Sequence, residues 1–279
     1  MATFITGGTG KTGLALAKLL HQAGQPVLVA SRSGKAPEPF QAVEFDWFNP
    51  ATFKNAFQTG TTIDKLFIVA PSAYDAIRHV EPFLELAVSQ GVKRFVAITS
   101  TQSEPGDIPL GTIHQCLLNL KVDYTILRPT WFIENFSTTF YMSIREKNEI
   151  FSCAEDGRVP FVSAEDIAQA AFDAFTAERS PNKDYFLVGP ELYSYDEAAK
   201  LLSSVLGREI VHKRHTVEQQ TQIFGYFLAP EYARHLAHVE HLIASGAEEK
   251  ILDESEDRKY VGKHTLKEYF EANRNIWIK

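Results

Sequence analysis

Cysteine is nearly absent. The 279-residue chain has two, Cys116 and Cys153. They form no disulfide or zinc spacing, which excludes a disulfide framework and a zinc module. The reading is a reduced, cytoplasmic protein with two buried thiols. Long apolar runs are missing too, and none approaches the roughly 18 residues of a membrane-spanning helix. The N-terminus has no charged n-region or cleavage site and passes straight into a strand. Positive charge is scarce: 28 Lys and Arg stand against 35 Asp and Glu, a net charge of −7. A nucleic-acid partner would call for a basic face, so that class is set aside. There is no HExxH. His235, His238 and His241 recur every third residue and drift around a helix, so no metal is expected. Internal repeats and low-complexity linkers are also absent.

What is present begins at the first residues. The run ATFI at 2–5 reads as a strand. TGGTGKTG follows at 6–13. Leu16, Leu19, Leu20 and Ala23 then recur at helical spacing up to Gly24. Strand, glycine turn and helix in this order form a dinucleotide-binding unit. Gly7 lets the chain turn off the strand. Gly10 lets backbone N–H groups approach a pyrophosphate. Gly13 lets the helix lie close. Thr6, Thr9, Lys11 and Thr12 complete the candidate cofactor loop, and the helix N-terminus favours an anion. A P-loop would need glycine where Ile5 stands, which excludes that reading.

Further strands are predicted at 26–30, 43–45, 65–70, 94–99 and 123–128, with helices between them. Strands alternating with helices imply an α/β fold with a doubly wound parallel sheet of the Rossmann kind. After the second strand comes Ser31-Arg32-Ser33-Gly34-Lys35. An NAD site would place an acid near here. These cations and hydroxyls suit a 2′-phosphate instead, so NADPH/NADP is the expected cofactor. Asp46 and Trp47 follow the third strand, either as adenine contacts or as an ordinary loop pair. Ala70, Pro71, Thr99 and Pro129 lie at the ends of later strands, where such sheets bind ligands. From Pro129 the chain becomes rich in aromatics. Ser163 with Asp166, and Ser194 with Glu197, are helix-start signatures. The segment from Thr216 reads as helices with an exposed acidic stretch at 248–256. The domains expected are 1–150, binding NADP, and 151–279, mainly a small, mostly helical substrate-binding lobe. A helix and strand at about 163–188 would return to the sheet.

Short-chain dehydrogenases protonate the nascent alkoxide from a Tyr-x-x-x-Lys pair. None of the 10 tyrosines here has lysine four residues on. Where the pair would lie, the chain reads GTIHQC at 111–116. Hydride addition to an iminium carbon needs no proton, so the gap favours an iminium acceptor, a redox-neutral reaction or no catalysis.

Together, TGGTGKTG, LVASRSG, FDW, Tyr74-Asp75, GTIH, YTILRPTWFIENFST, GRVPFVSAEDIA and GPELYSYDEA resemble the NmrA-like atypical short-chain dehydrogenases. The similarity is greatest to the fungal ergot-alkaloid branch of festuclavine synthases and agroclavine dehydrogenases, and runs to at least Gly246. It implies NADPH-dependent reduction of a cyclic iminium on an indole skeleton in secondary metabolism. It implies that Gly7, Gly10 and Gly13 bind the pyrophosphate and Arg32 the 2′-phosphate. Residues around Tyr74, Ser100, His114 and Trp131 to Asn135 would line the substrate pocket. Tyr74, Trp131 and Phe132 would hold a cation by their ring faces, with Glu134 adding negative charge. Tyr74, Ser100, His114 and Glu134 are the catalytic candidates, and Tyr74, Trp131, Phe132 and Asn135 the substrate-binding ones. Two alternatives stay open. One is a Pictet–Spengler-type cyclase with His114 or Glu134 as base. The other is a non-catalytic NADP-sensing regulator. The small-molecule partner expected is alkaloid-like, with no nucleic acid and no membrane.

Overall fold

The structure, a computed structural model, describes residues 1–278. Five strands open the chain: β1 (Ala2–Ile5), β2 (Val27–Ser31), β3 (Gln41–Glu44), β4 (Ile63–Ile68) and β5 (Arg94–Ile98). The helices among them are α1 (Lys11–Gln22) and α2 (Ile77–Ser89). Next come α3 (Gly111–Leu120), β6 (Asp123–Pro129), α4 (Tyr141–Lys147), β7 (Glu149–Ser152), β8 (Arg158–Val159) and α5 (Ala164–Thr176). After these lie β9 (Lys183–Val188), β10 (Tyr193–Ser194), α6 (Tyr195–Leu206) and β11 (Val211–Arg214). The chain ends with α7 (Val217–Phe224), α8 (Pro230–His241), β12 (Lys259–Val261) and α9 (Leu266–Asn273).

One eight-stranded sheet has the order β12-β9-β6-β5-β4-β1-β2-β3. The pairings from β3 through β6, and of β9 with β12, are parallel. Strand order reverses between β1 and β4, the place where such sheets bind ligands. The central strands are apolar on both faces, as a doubly covered parallel sheet requires. Phe4, Leu66, Ile68, Phe95 and Ala97 join one core with Val80, Phe83 and Leu84 of α2 and Ile113 and Leu117 of α3. Phe67 points the other way and meets Phe175 of α5.

Packing divides the chain into two units, Met1–Arg128 with Ile167–Tyr185, and Pro129–Asp166 with Phe186–Lys279. The first break falls at Pro129, before residue 150. The second unit has its own core around Phe136, Phe140, Phe161, Tyr195, Leu202, Phe270 and Trp277. Ser194, Thr216 and Thr265 cap α6, α7 and α9 in full capping boxes. Ser163 likewise accepts the Asp166 N–H at 2.9 Å.

Some elements depart from expectation. β7 and β11 form a separate parallel pair, and β12 adds a strand beside β9. All three are only three or four residues long, too short for a reliable alternation signal. The acidic stretch is not uniformly exposed: Glu248 is 1% exposed. Among the described residues, no helix is long and apolar enough to cross a membrane.

Candidate functional site

The glycine loop is built by steric exclusion. Gly7 has φ +60°, a region that only glycine enters cheaply. A Cβ on Gly7 would also lie 2.9 Å from the Cβ of Val69. A Cβ on Gly13 would lie 2.4 Å from the Gly7 carbonyl oxygen, so α1 can sit on the loop only with glycine there. Gly8, which the sequence reading left unassigned, is as tight, with Val29 Cγ1 at 2.6 Å and Ile5 O at 2.8 Å. The start of α1 carries no side-chain cap and no acid in its first turn. Its N-terminal N–H groups and positive dipole end therefore suit an anion. Thr9 and Lys11 are exposed beside it, while Thr12 is buried.

Thr6 faces elsewhere. Its hydroxyl donates to Phe67 O at 2.9 Å and accepts the Val69 N–H at 2.8 Å, fastening β1 to the end of β4. Its side chain serves the sheet, so it reaches a ligand only through backbone. Val69 is the hub that the sequence reading missed, because its partners lie far away in the chain. Ala70 and Pro71 follow it, half-buried and buried.

At the end of β2 the Ser31 and Ser33 hydroxyls are 3.1 Å apart. Gly34 turns the chain at φ +65°, and the Arg32 and Lys35 side chains are exposed. Trp47 is a correction. It is 8% exposed, donates from Nε1 to Val69 O at 3.0 Å, and packs edge-on against Phe45, Phe53 and Phe83. It is core and offers no face to adenine. Asp46 Oδ1 accepts the Phe48 N–H at 3.0 Å, a local turn. The exposed ring here is Phe48, 60% exposed, edge-on to His79. Period-two alternation over 45–48 carried this signal, with Phe45 and Trp47 inward and Asp46 and Phe48 outward.

Thr99, the first residue after β5, has a buried hydroxyl with no hydrogen-bond partner, an orphan that a ligand polar atom would satisfy. The Ser100 and Ser103 hydroxyls are 2.8 Å apart. Tyr74 is half-buried in the loop before α2, and Pro129 is buried at the end of β6. His114 is only 5% exposed. Its ring faces Tyr124 at 5.6 Å, its Nδ1 has no partner, and burial lowers its pKa. It is a neutral core histidine, not a presented base. At the head of its helix, a Cβ on Gly111 would lie 1.8 Å from Glu104 O, so no larger residue fits there.

In the second unit Trp131 and Phe132 are half-buried, and Trp131 packs against both the main core and the α7–α8 pair. Phe132 bridges Val162 through backbone. The Asn135 carbonyl accepts the Phe140 N–H at 2.9 Å. Glu134 Oε1 accepts the Ala164 N–H at 2.9 Å and so serves the start of α5. This partner is thirty positions away, and no local pattern announces it. Ser152, His212 and Asp196 form a hydroxyl–imidazole–carboxylate chain with contacts of 2.9 and 3.2 Å. Ser152 is 0% exposed, so the chain ties β7, β11 and α6 together and presents no nucleophile. Both thiols are buried; burial and Glu81 raise Cys116 to about 11, which keeps it inert.

A profile of the NAD(P)H-binding family matches residues 7–178, from the glycine loop past α5. The chain belongs to the NmrA-like NAD(P)H-binding family. Within this family it is 38% identical to agroclavine dehydrogenase of Claviceps fusiformis, over 100% of this chain and 99% of that one. It is 36% identical to festuclavine dehydrogenase of Aspergillus fumigatus, over 89% of each. The fold matches Citrobacter triphenylmethane reductase, solved with NADP(H), at TM-score 0.74 and 22% identity, covering 99% of this chain and 100% of that one. Family membership and these relatives make it an NAD(P)H-dependent oxidoreductase. The glycine cradle and the uncapped start of α1 fit the dinucleotide.

Proposed function

We propose that the protein reduces a cyclic iminium carbon of an alkaloid-like indole substrate, using NADPH. One observation carries the reading: the Tyr-x-x-x-Lys pair that serves carbonyl reduction is missing from the sequence. No tyrosine has lysine four residues on. A carbonyl acceptor becomes an alkoxide that must be protonated. An iminium becomes a neutral amine without that proton. Bound NADPH supplies the hydride. The residues of this chain bind and orient. Gly7, Gly10, Gly13 and the start of α1 cradle the pyrophosphate, and Ser31, Arg32, Ser33 and Lys35 meet the 2′-phosphate. In the second unit Trp131 and Phe132 offer ring faces to the cation, worth roughly 0.5–2 kcal/mol each. The names of the agroclavine and festuclavine dehydrogenases support this substrate class.

The ring-closing alternative requires a base. His114 is buried and Glu134 is bonded to Ala164 N–H, so the reductase reading is preferred. Label transfer tests it. With NADPH deuterated at the transferring position and a preformed cyclic indole iminium, the amine product carries deuterium and simple ketones leave NADPH intact. Unlabelled product with undiminished NADPH would instead establish ring closure.

Cofactor choice is tested separately. A charge-assisted contact from Arg32 to the 2′-phosphate is worth roughly 1.5–3 kcal/mol. Arg32→Asp should therefore weaken NADPH binding by about tenfold or more and spare NADH. Equal wild-type affinity for both cofactors, measured by fluorescence titration, contradicts the assignment.

A further inference from the structure

The turn over residues 131–137, in the second unit, does not hold itself. Its helical part, Ile133–Ser137, is one short 3₁₀ segment with no side-chain cap at Phe132, and such segments have poor hydrogen-bond geometry. Burial divides its residues. Ile133 and Phe136 are 1% and 0% exposed, whereas Trp131 and Phe132 are half-buried. One side of the turn is tied to the segment that leads into α5. Ile133 N–H donates to Val162 O and Val162 N–H to Trp131 O, both at 3.0 Å, and Glu134 holds the Ala164 N–H.

The other side is held from α9 and the residues just after it. Tyr269 and Ser137 bond through their hydroxyls, 132 positions apart. Trp277, 0% exposed, donates from Nε1 to Phe136 O at 3.1 Å, 141 positions apart. Between these two bonds the Phe270 ring stands edge-on to Phe136 at 4.9 Å and to Trp277 at 5.9 Å. Trp277 is itself anchored. Arg208 Nη2 donates to Trp277 O at 3.1 Å and to Ile144 O at 3.0 Å. Burial raises the Tyr269 phenol, so it stays a neutral hydroxyl at neutral pH. Phenylalanine at 269 and 277 would supply the apolar packing. The phenol O–H and the indole N–H add direction, and both are spent on consecutive residues of one turn.

We infer that Tyr269 and Trp277 are positioning residues: they fix the 131–137 turn and, through it, the Trp131 and Phe132 rings that receive the cationic acceptor. The inference rests on the hydride-transfer reading above.

The experiment compares wild type with Tyr269→Phe, Ser137→Ala, their double variant and Trp277→Phe. The first two remove the same bond and keep the packing, while Trp277→Phe strands a buried carbonyl. Hydrogen exchange over residues 131–138 reads the turn. Kinetics with a preformed cyclic indole iminium read its use, and fluorescence titration reads NADPH affinity. Tyr269→Phe and Ser137→Ala should each speed exchange in the turn and raise the acceptor KM about fivefold, the factor set by one net hydrogen bond. The double variant should be no worse than either single one. Trp277→Phe should raise the acceptor KM about tenfold. In all of them kcat and NADPH affinity stay at wild type.

A merely structural role would lower the urea midpoint and, through the folded fraction, kcat, leaving KM unmoved. Unchanged acceptor KM in Tyr269→Phe and Ser137→Ala, or an equal loss of NADPH affinity, therefore overturns the inference. If Trp277→Phe does not fold, the Tyr269–Ser137 pair decides alone. If wild type oxidises no NADPH with the iminium, the hydride-transfer reading fails. Exchange over 131–138 then decides the positioning role, which falls if variants and wild type exchange alike.

Discussion

Arg128→Ala is expected to lower the unfolding free energy by about 3–5 kcal/mol, the usual cost of removing one partner from a buried ion pair. The Arg128 side chain is 1% exposed. Its Nη1 donates to Asp184 Oδ2 at 2.8 Å, and its Nη2 donates to Thr101 O at 2.7 Å and Glu104 Oε1 at 2.5 Å. Without the guanidinium the Glu104 carboxylate, 66% exposed, can turn to water. Asp184, only 19% exposed, stays partly dry and loses its cation. The Thr101 carbonyl loses a donor as well. This carbonyl lies in the loop after β5 that carries Thr99 and Ser100, so the same change should loosen that strand end. Arg128→Lys should recover only part of the loss, because one ammonium cannot reproduce a planar fork reaching three acceptors. Urea unfolding measures it, with a lower midpoint at unchanged slope. A loss under about 1 kcal/mol would put this pair with exposed surface bridges and refute the expectation.

The second large effect depends on pH. Glu240 on α8 is 1% exposed, and its Oε2 accepts the Cys153 N–H at 3.0 Å and the Cys153 thiol at 3.2 Å. Burial pushes its carboxyl up from 4.5 to about 7, the two Cys153 bonds opposing that rise. His241 Nδ1 bonds Cys153 O at 3.1 Å on the same side, and burial, with Glu240 nearby, raises the Tyr195 phenol well above its usual range. A carboxyl raised in the folded state binds its proton more tightly folded than unfolded. Its favourable contribution is therefore complete below about 4.5 and is lost as pH rises through about 7. The difference corresponds to about 3 kcal/mol. Glu240→Gln should leave stability near wild type at acid pH and exceed it by up to this amount above neutrality. His212, whose pKa burial lowers, acts in the opposite direction, so the test is the difference between variant and wild type across pH. A difference that is flat from pH 5 to 8 would show that Glu240 does not titrate in this range.

The parts of the site legible in the sequence are those built from neighbours in the chain. The strand–glycine–helix start could be read because a turn at φ +60° and a helix resting on a loop each demand glycine locally. The caps at Ser194 and Ser163 could be read for the same reason, as the hydroxyl reaches an N–H three residues on. The missing Tyr-x-x-x-Lys pair is likewise a local fact. Trp47 was misread through proximity. It stands next to Asp46, but in the turn after β3 its indole points inward and donates to Val69 O, twenty-two positions away.

The sequence by itself determined the doubly wound sheet, the family, the anion-ready start of α1 and the lack of a proton-donating pair. Each follows from local sterics, hydrophobic period or a short spacing. Only the tertiary structure decided what the polar residues do. It gave the Thr6 hydroxyl to β4, the Glu134 carboxylate to the start of α5, and His114 to the sheet's core. It sealed Glu240 and Glu248 from water, and left Tyr226 and Phe227 outside. Hydrogen bonding and burial are set by groups distant in the chain, and a side chain's chemistry is fixed by the partner that reaches it first.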